Sequence, residues 1–261
     1  MSISRMSNAM ASEYLGRIAF GEFPDAATVN VLKRLQQQHL LNIPFENLDI
    51  HLGIPITIDT DKFFAKVVKN RRGGFCYELN GLFNELLKAL GYKTKLVSAR
   101  VANAEGGFGK EFDHLAIITR IDPDEWLVDV GFGEFSEFPL RLVKDIVQKD
   151  PRGDFVIEQY DDVYLIVKKL KDNGTTENQY IFSLIERNLP EFEEMCNYHQ
   201  SSPNSHFTQN KICSIALPDG RISLSNKSLK LTGNGIVTEE NIMGEEDFQD
   251  KLELVFGIRI N

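Results

Sequence analysis

The run RRGGFCYELN, Arg71 to Asn80, sets a cysteine where a glycine-rich turn passes into an amphipathic helix. Leu79, Leu82, Phe83, Leu86, Leu87 and Leu90 follow at helical spacing and Gly91 ends the pattern, so Cys76 is expected in the first turn. Backbone N–H groups there lack helical acceptors and carry about half a positive charge, and Arg71 and Arg72 stand just upstream; both effects favour a thiolate. Gly73 and Gly74 would let the backbone approach a ligand closely. A thiolate needs a base to take its proton, and His114, opening the apolar run HLAIITRI, is the candidate. Asp129 interrupts the apolar run of Trp126, Leu127, Val128, Val130 and Phe132. A carboxylate buried in such a strand costs several kcal/mol unless it is paired, and an imidazolium is a natural partner. Cys76, His114 and Asp129 thus read as the thiol, base and orienting acid of a nucleophilic triad. Asp113 is set aside as the orienter because the two-residue period of a strand sends it to the face opposite His114.

Plainer readings stay open beside this one. Cys76 can be a buried structural thiol, His114 an ordinary hydrogen-bonded strand histidine, and Asp129 the start of a turn. A cysteine hydrolase acting on peptides, or a binding module with an inert cysteine, would use the same residues. Cys196 and Cys213 lack a glycine turn or a clear helix start and are read as structural. Three cysteines and five histidines show no CxxC or HxxxH spacing, which disfavours a metal site. His199 and His206 fall in a polar stretch and are expected to be solvated.

The elements that must position these groups follow from the change of period along the chain. From Ala11 to about Leu90 the apolar residues recur at helical spacing, punctuated by Pro24, Pro44 and Pro55. Ser7 to Met10 spell SNAM, resembling a cloning remnant, and the first ten residues are left out of this expectation. Beyond Gly91 the period becomes that of strands, in KTKLVSARV, HLAIITRI, EWLVDVGF, DFVIEQY, DVYLIVKKL and ENQYIFSLI. Strands following strands argue for an antiparallel sheet or barrel. From Leu189 a polar stretch leads to a hairpin turning at Pro218-Asp219-Gly220 and an acidic terminal helix. The expected fold is α+β in three parts: residues 1–90 helical and carrying the cysteine, 91–188 a β-barrel carrying His114 and Asp129, and 189–261 a smaller mixed part. The 261 residues, 42% hydrophobic and 26% charged, can bury a large core. The net charge of −9 argues against non-specific binding to nucleic acid or an anionic membrane surface, while leaving room for a local basic site. Few and odd cysteines, no apolar leader and no run near the roughly 18 apolar residues of a membrane span point to a cytoplasmic protein. Oligomeric state is not legible.

With these residues assembled, the chain resembles the arylamine N-acetyltransferase family. The likeness is carried by the RGGFCYEL run around Cys76, HLLNIPFENLDIHLG (His39 to Gly53), SARV (Ser98 to Val101), DHLAIIT around His114, LVDVGFG (Leu127 to Gly133) and SSPNSHF (Ser201 to Phe207), all in family order. The last fifty or so residues match only loosely. The resemblance implies a helical bundle, a β-barrel and an α/β lid around a cysteine-protease-like core. It also implies ping-pong acetyl transfer from acetyl-CoA through a Cys76 thioester to an aromatic amine or hydrazine, with no metal. By the same resemblance Glu46 and Arg72 form a buried ion pair. Gly107 and Lys110 in the loop before His114, Gly131, Ser205 and Phe207 become candidates for the CoA cleft, and Phe112 and Phe132 for the acceptor pocket.

Overall fold

The computed structural model describes residues 6–171 and 173–260; residues 1–5 and 261, the outermost ends of the first and third expected parts, lie outside the described residues. The helical part opens with α1 (Asn8–Arg17), so the helix begins inside the segment left out of the sequence expectation, capped by the Ser7 hydroxyl that accepts from Met10 N. Next come α2 (Val29–Asn42), capped by Thr28, the short strand β1 (Phe45–Glu46), α3 (Leu48–His51), and α4 (Thr60–Phe64), which continues into one wider π-type turn over Ala65–Lys69. The cysteine helix, α5 (Cys76–Ala89), is buried on nearly every side, and Gly91 leaves it at φ 87°.

Seven antiparallel strands follow: β2 (Lys93–Val101), β3 (His114–Ile121), β4 (Asp124–Val128), β5 (Leu140–Arg141), β6 (Phe155–Gln159), β7 (Tyr164–Leu170) and β8 (Thr176–Ser183). They lie in the order β5-β4-β3-β2-β8-β7-β6. Bridges from Lys144 and Gln148, just after β5, to Ile157 and Phe155 of β6 nearly close the sheet into a barrel. Inward residues such as Val97, Ala99, Ile118, Tyr180 and Phe182 fill it. The expected strand through Phe132 stops instead at Val128. Asp129 and Val130 turn their N–H groups to the side chains of Gln36 and Asn80 rather than to a neighbouring strand, which ends the ladder.

The polar stretch after Leu189 is not a loop. A 3₁₀ turn (Leu189–Phe192) leads into α6 (Glu193–Ser201) and α7 (His206–Gln209), and Leu189, Phe192 and Cys196 pack into the core of the helical part. The hairpin of β9 (Ile212–Leu217) and β10 (Gly220–Ser225) turns where expected. Two strands that the sequence reading did not include, β11 (Ser228–Gly233) and β12 (Ile236–Asn241), extend that sheet, and α8 (Glu245–Phe256) covers it. β1 pairs with β9 through Phe45↔Ser214 and Glu46↔Cys213, tying the segment before the cysteine turn to the C-terminal sheet.

Candidate active site

Cys76 is the first residue of α5, at the end of a turn held by charge. The Glu78 carboxylate reaches back to accept the Phe75 N–H at 3.0 Å, closing the helix start. Lys66 Nζ lies 2.9 Å from Glu78 Oε1, 2.8 Å from Asp49 Oδ2 and 3.8 Å from Glu46 Oε1. Arg72 binds Glu46 Oε1 at 2.8 Å and Asp49 Oδ1 at 2.9 Å. The expected Glu46–Arg72 pair is therefore one edge of a five-residue buried cluster whose other members, Asp49, Lys66 and Glu78, carried no local signal. Burial, opposed by Lys66, raises the Glu78 carboxyl to about 7.

Two expectations for the cysteine turn change. Gly73 and Gly74 approach protein rather than ligand: a Cβ on Gly73 would stand 2.1 Å from the Pro44 carbonyl oxygen, and one on Gly74 2.8 Å from Glu78 Cβ. The arginines do not lower the thiol pKa, because Arg72 is held by two carboxylates and Arg71 is exposed. Cys76 is only 3% exposed, and burial, with Asp113 and Asp129 adding their charge, pushes its thiol well above the ordinary range; a hydrogen bond from the Leu115 backbone works the other way.

His114 and Asp129 meet as the spacing suggested. His114 Nε2 lies 2.7 Å from Asp129 Oδ2, and Asp129 is fully buried. Asp129 Oδ2 also accepts from Tyr180 Oη at 3.1 Å, and Oδ1 from Asn80 Nδ2 at 2.8 Å and Gly131 N at 2.9 Å. Asn80 Nδ2 further donates to Leu115 O at 2.6 Å, and its Oδ1 accepts from Val130 N at 2.8 Å. Asn80 stands one helical turn beyond Cys76, so one face of α5 presents both the thiol and the clamp on the acid. Asn80, Tyr180 and Gln36 escaped sequence reasoning, although an asparagine one turn after the cysteine on a buried helix face was a usable signal. Gly131 is required by a close approach: a Cβ there would stand 2.8 Å from both Asn80 Nδ2 and Cys76 Cα.

A cavity of about 610 Å³ opens over this site, lined by Cys76, His114, Gly131, Phe132, Phe207 and Asp113 among others. The Phe132 ring packs 5.3 Å from His114 and 5.3 Å from Tyr180. Of the sequence-derived contact residues, Gly131, Phe132 and Phe207 reach this wall, whereas Gly107, Lys110, Phe112 and Ser205 do not. Gly107 donates its N–H to Asn103 Oδ1, and Lys110 Nζ sits 4.9 Å over the Tyr198 ring. Phe112, at φ 65°, turns its ring onto Phe192, and the Ser205 hydroxyl caps α7 by accepting from Phe207 N. Gly109 lines the wall in their place. Asp113 is no outward-facing strand residue: it precedes β3 and lines the same cavity as His114, because the left-handed backbone at Phe112 breaks the pleat. His206 also lines the cavity, and His199 is buried, so neither is the solvated loop residue expected. Cys196 and Cys213 are buried free thiols.

This geometry can be set against known proteins. The family model described as N-acetyltransferase matches residues 28–261. The chain belongs to the arylamine N-acetyltransferase family. It is 31% identical to an arylamine N-acetyltransferase of Escherichia coli, over 96% of this chain and 89% of that protein. With the arylamine N-acetyltransferase pineal gland isozyme of Gallus gallus it shares 29% identity over 95% and 94% of the two chains. The Salmonella typhimurium arylamine N-acetyltransferase structure superposes with a TM-score of 0.90 at 27% identity, covering 98% of this chain and 93% of that one. The Mycobacterium marinum arylamine N-acetyltransferase solved in complex with CoA superposes at 0.87 with 27% identity, over 95% and 92%. The enzyme thus has the N-acetyltransferase fold, a cysteine helix set against an antiparallel barrel in the manner of cysteine proteases. Among the described residues, no helix is long and apolar enough to cross a membrane.

Proposed function

We propose that this arylamine N-acetyltransferase works by a ping-pong reaction in which Cys76 accepts an acetyl group from acetyl-CoA and passes it to an aromatic amine or hydrazine. The observation that carries this reading is that Cys76 and His114 line one cavity while Asp129 grips the far side of the imidazole. Because Asp129 occupies Nε2, Nδ1 is the ring nitrogen left to face the thiol. Nδ1 takes the Cys76 proton, which lets a deeply buried sulfur ionise only as an ion pair with the imidazolium. The sulfur attacks the acetyl carbonyl, the carbon–sulfur bond to CoA breaks, and the CoA sulfur leaves with the proton from His114. In the second half the amine nitrogen attacks the Cys76 thioester, His114 takes its proton, and the Cys76 sulfur departs and is reprotonated. The N–H of Cys76, in the first turn of α5 where no helical acceptor exists, is the donor assigned to the tetrahedral oxyanion.

The donor assignment draws on the M. marinum relative, which was solved with CoA. The cavity has room for a pantetheine arm, and Phe132 and Phe207 offer aromatic surface beside the thiol for an aryl acceptor. Gly131 and Phe207 are the candidate CoA contacts at the wall, with Gly107, Lys110 and Ser205 placed outside it. We divide the work among the three parts accordingly: residues 1–90 present the nucleophile, 91–188 the base and acid, and 189–261 cover the cavity. Intact-protein mass spectrometry after mixing with acetyl-CoA tests the scheme. One acetyl group is expected on Cys76, removed by adding an arylamine; no adduct on wild type, or the same adduct on Cys76→Ala, refutes it.

A further inference from the structure

A second cavity, of about 440 Å³, lies between the barrel and the C-terminal sheet. The barrel side gives it Phe135, Arg152 and Lys169 of β7, and the sheet gives it Pro218, Asp219 and Arg221 of the β9–β10 hairpin. No residue that lines it also lines the cavity over Cys76. Three cations thus converge on a space that the acetyl-transfer scheme leaves unused.

Arg221 is a cation without a near counter-ion. Its guanidinium donates to the uncharged Ser214 Oγ at 2.9 Å, and among the described residues no carboxylate oxygen comes within 4.0 Å of it. Burial lowers its pKa to about 10; Glu134 opposes this, and the like charge of Arg152 adds to it. A desolvated guanidinium held in this way costs free energy that an anion would recover. Lys169 Nζ stands 5.8 Å over the Phe155 ring, again with no carboxylate within 4.0 Å among the described residues. Arg152 is placed differently. Its Nη1 and Nη2 donate to the carbonyls of Gly220 and Leu217 at 3.0 and 2.9 Å, Nη2 lies 3.4 Å from Glu137 Oε2, and Nε is buried without an acceptor. Arg152 therefore fixes the wall and leaves the charge inside to Arg221 and Lys169. The carboxylates on the lining, Glu134 and Asp219, are exposed and solvated at the rim.

We propose that this cavity binds a small phosphate-bearing ligand, its phosphate taken by Arg221 and Lys169 and the remainder lying against Phe135 and Pro218. Two unpaired cations match the charge of about −2 on a phosphate monoester near neutral pH, of which a carboxylate brings half. A guanidinium fork pairs with two phosphate oxygens at once, and the lysine adds a point charge. Arg152 clamps the β9–β10 turn to the barrel before any ligand arrives, so little ordering is lost on binding. The occupant bridges barrel and sheet. Arg221 also lines the narrow gap behind Gly131, Phe132 and Gly133, so the bound phosphate rests behind the turn that follows Asp129.

Isothermal titration calorimetry on the full chain tests this, with inorganic phosphate and phenyl phosphate as probes in chloride at constant ionic strength, with and without saturating free CoA. Saturable binding with a Kd on the order of 0.1–1 mM is expected for at least one probe, unchanged by CoA. Tighter binding of phenyl phosphate assigns the cavity to a phosphate monoester, and equal or weaker binding assigns it to free phosphate. Arg221→Gln should weaken binding at least about tenfold and Lys169→Gln roughly three- to tenfold. If the Arg221 variant does not fold, Lys169→Glu reverses one charge at a side chain that makes no hydrogen bond among the described residues, and should abolish binding. The proposal is overturned if neither probe saturates wild type by about ten times the expected Kd, or if the variants bind as wild type does. Displacement of phosphate by CoA overturns it as well, because the phosphate then occupies the donor's site. No acetyl transfer occurs in the titration, so its outcome is independent of the ping-pong reading.

Discussion

Replacing Asn80 with alanine removes a side chain that joins the cysteine helix to the acid, to Leu115 of β3 and to Val130 just past β4. Wild-type Asp129 accepts from four donors, and Asn80 Nδ2 is one of them. A hydrogen bond to a charged group is worth about 1.5–3 kcal/mol, and a buried N–H left without an acceptor costs about 1–3 kcal/mol. The variant loses the first at Asp129 and incurs the second at Val130 N, whose acceptor is Asn80 Oδ1. Allowing for partial relaxation and for water entering from the cavity, the expected loss is about 3–4 kcal/mol, a large share of the roughly 5–15 kcal/mol that holds a typical domain together. Urea unfolding followed by near-ultraviolet circular dichroism measures it. Below the unfolding transition, the rate of acetyl transfer to an arylamine should drop by more than tenfold, because Asp129 loses a donor that fixes its Oδ1 and with it the aim of His114. A stability loss under about 1 kcal/mol would show that solvent or a neighbouring amide replaces Asn80 freely. Undiminished activity in the folded variant would show that the histidine is aimed by other contacts.

Other consequences of the same geometry are open to simple measurements. Tyr180→Phe removes a single donor to Asp129 Oδ2 while keeping the ring packed against Phe132 and His114; a loss of about 1–2 kcal/mol in urea unfolding and a several-fold fall in kcat/KM are expected, and an unchanged pair of values would remove the hydroxyl from the support of the acid. Gly131→Ala forces a methyl group within 2.8 Å of Cys76 Cα and Asn80 Nδ2, so acetylation of Cys76 should slow by at least tenfold, which stopped-flow detection of released CoA would read. His39 is buried with neither ring nitrogen hydrogen-bonded, and burial depresses its pKa to about 3. The unfolded chain therefore binds one more proton than the folded one between roughly pH 6.5 and 3, and stability falls as pH falls through that window. Relative to wild type, His39→Phe should gain roughly 2 kcal/mol between pH 7 and pH 5; parallel stability curves for the two proteins would contradict this.

What the sequence determined by itself is local. A glycine turn running into a leucine-spaced segment places Cys76 at a helix start whatever the rest of the chain does, because capping and apolar period act over a few residues. Alternating apolar residues likewise located β2, β3 and the β9–β10 hairpin, and an aspartate in an apolar run signalled that Asp129 must have a partner. Motif order then sufficed for the family. The tertiary structure decided everything that depends on what packs against what. Of the arginines beside Cys76, Arg72 is neutralised by Glu46 and Asp49, residues distant in sequence, and Arg71 is exposed, so burial, with Asp113 and Asp129, pushes the thiol up instead. The partners of Asp129 come from α2, α5 and the far strand β8, and no spacing rule links them. His199 looked solvated because its neighbours in sequence are polar, yet α6 turns it inward onto Tyr77, Phe207 and Asp113. Helix and strand identity follow from neighbours along the chain, whereas the charge and hydrogen bonding of a buried group follow from neighbours across it.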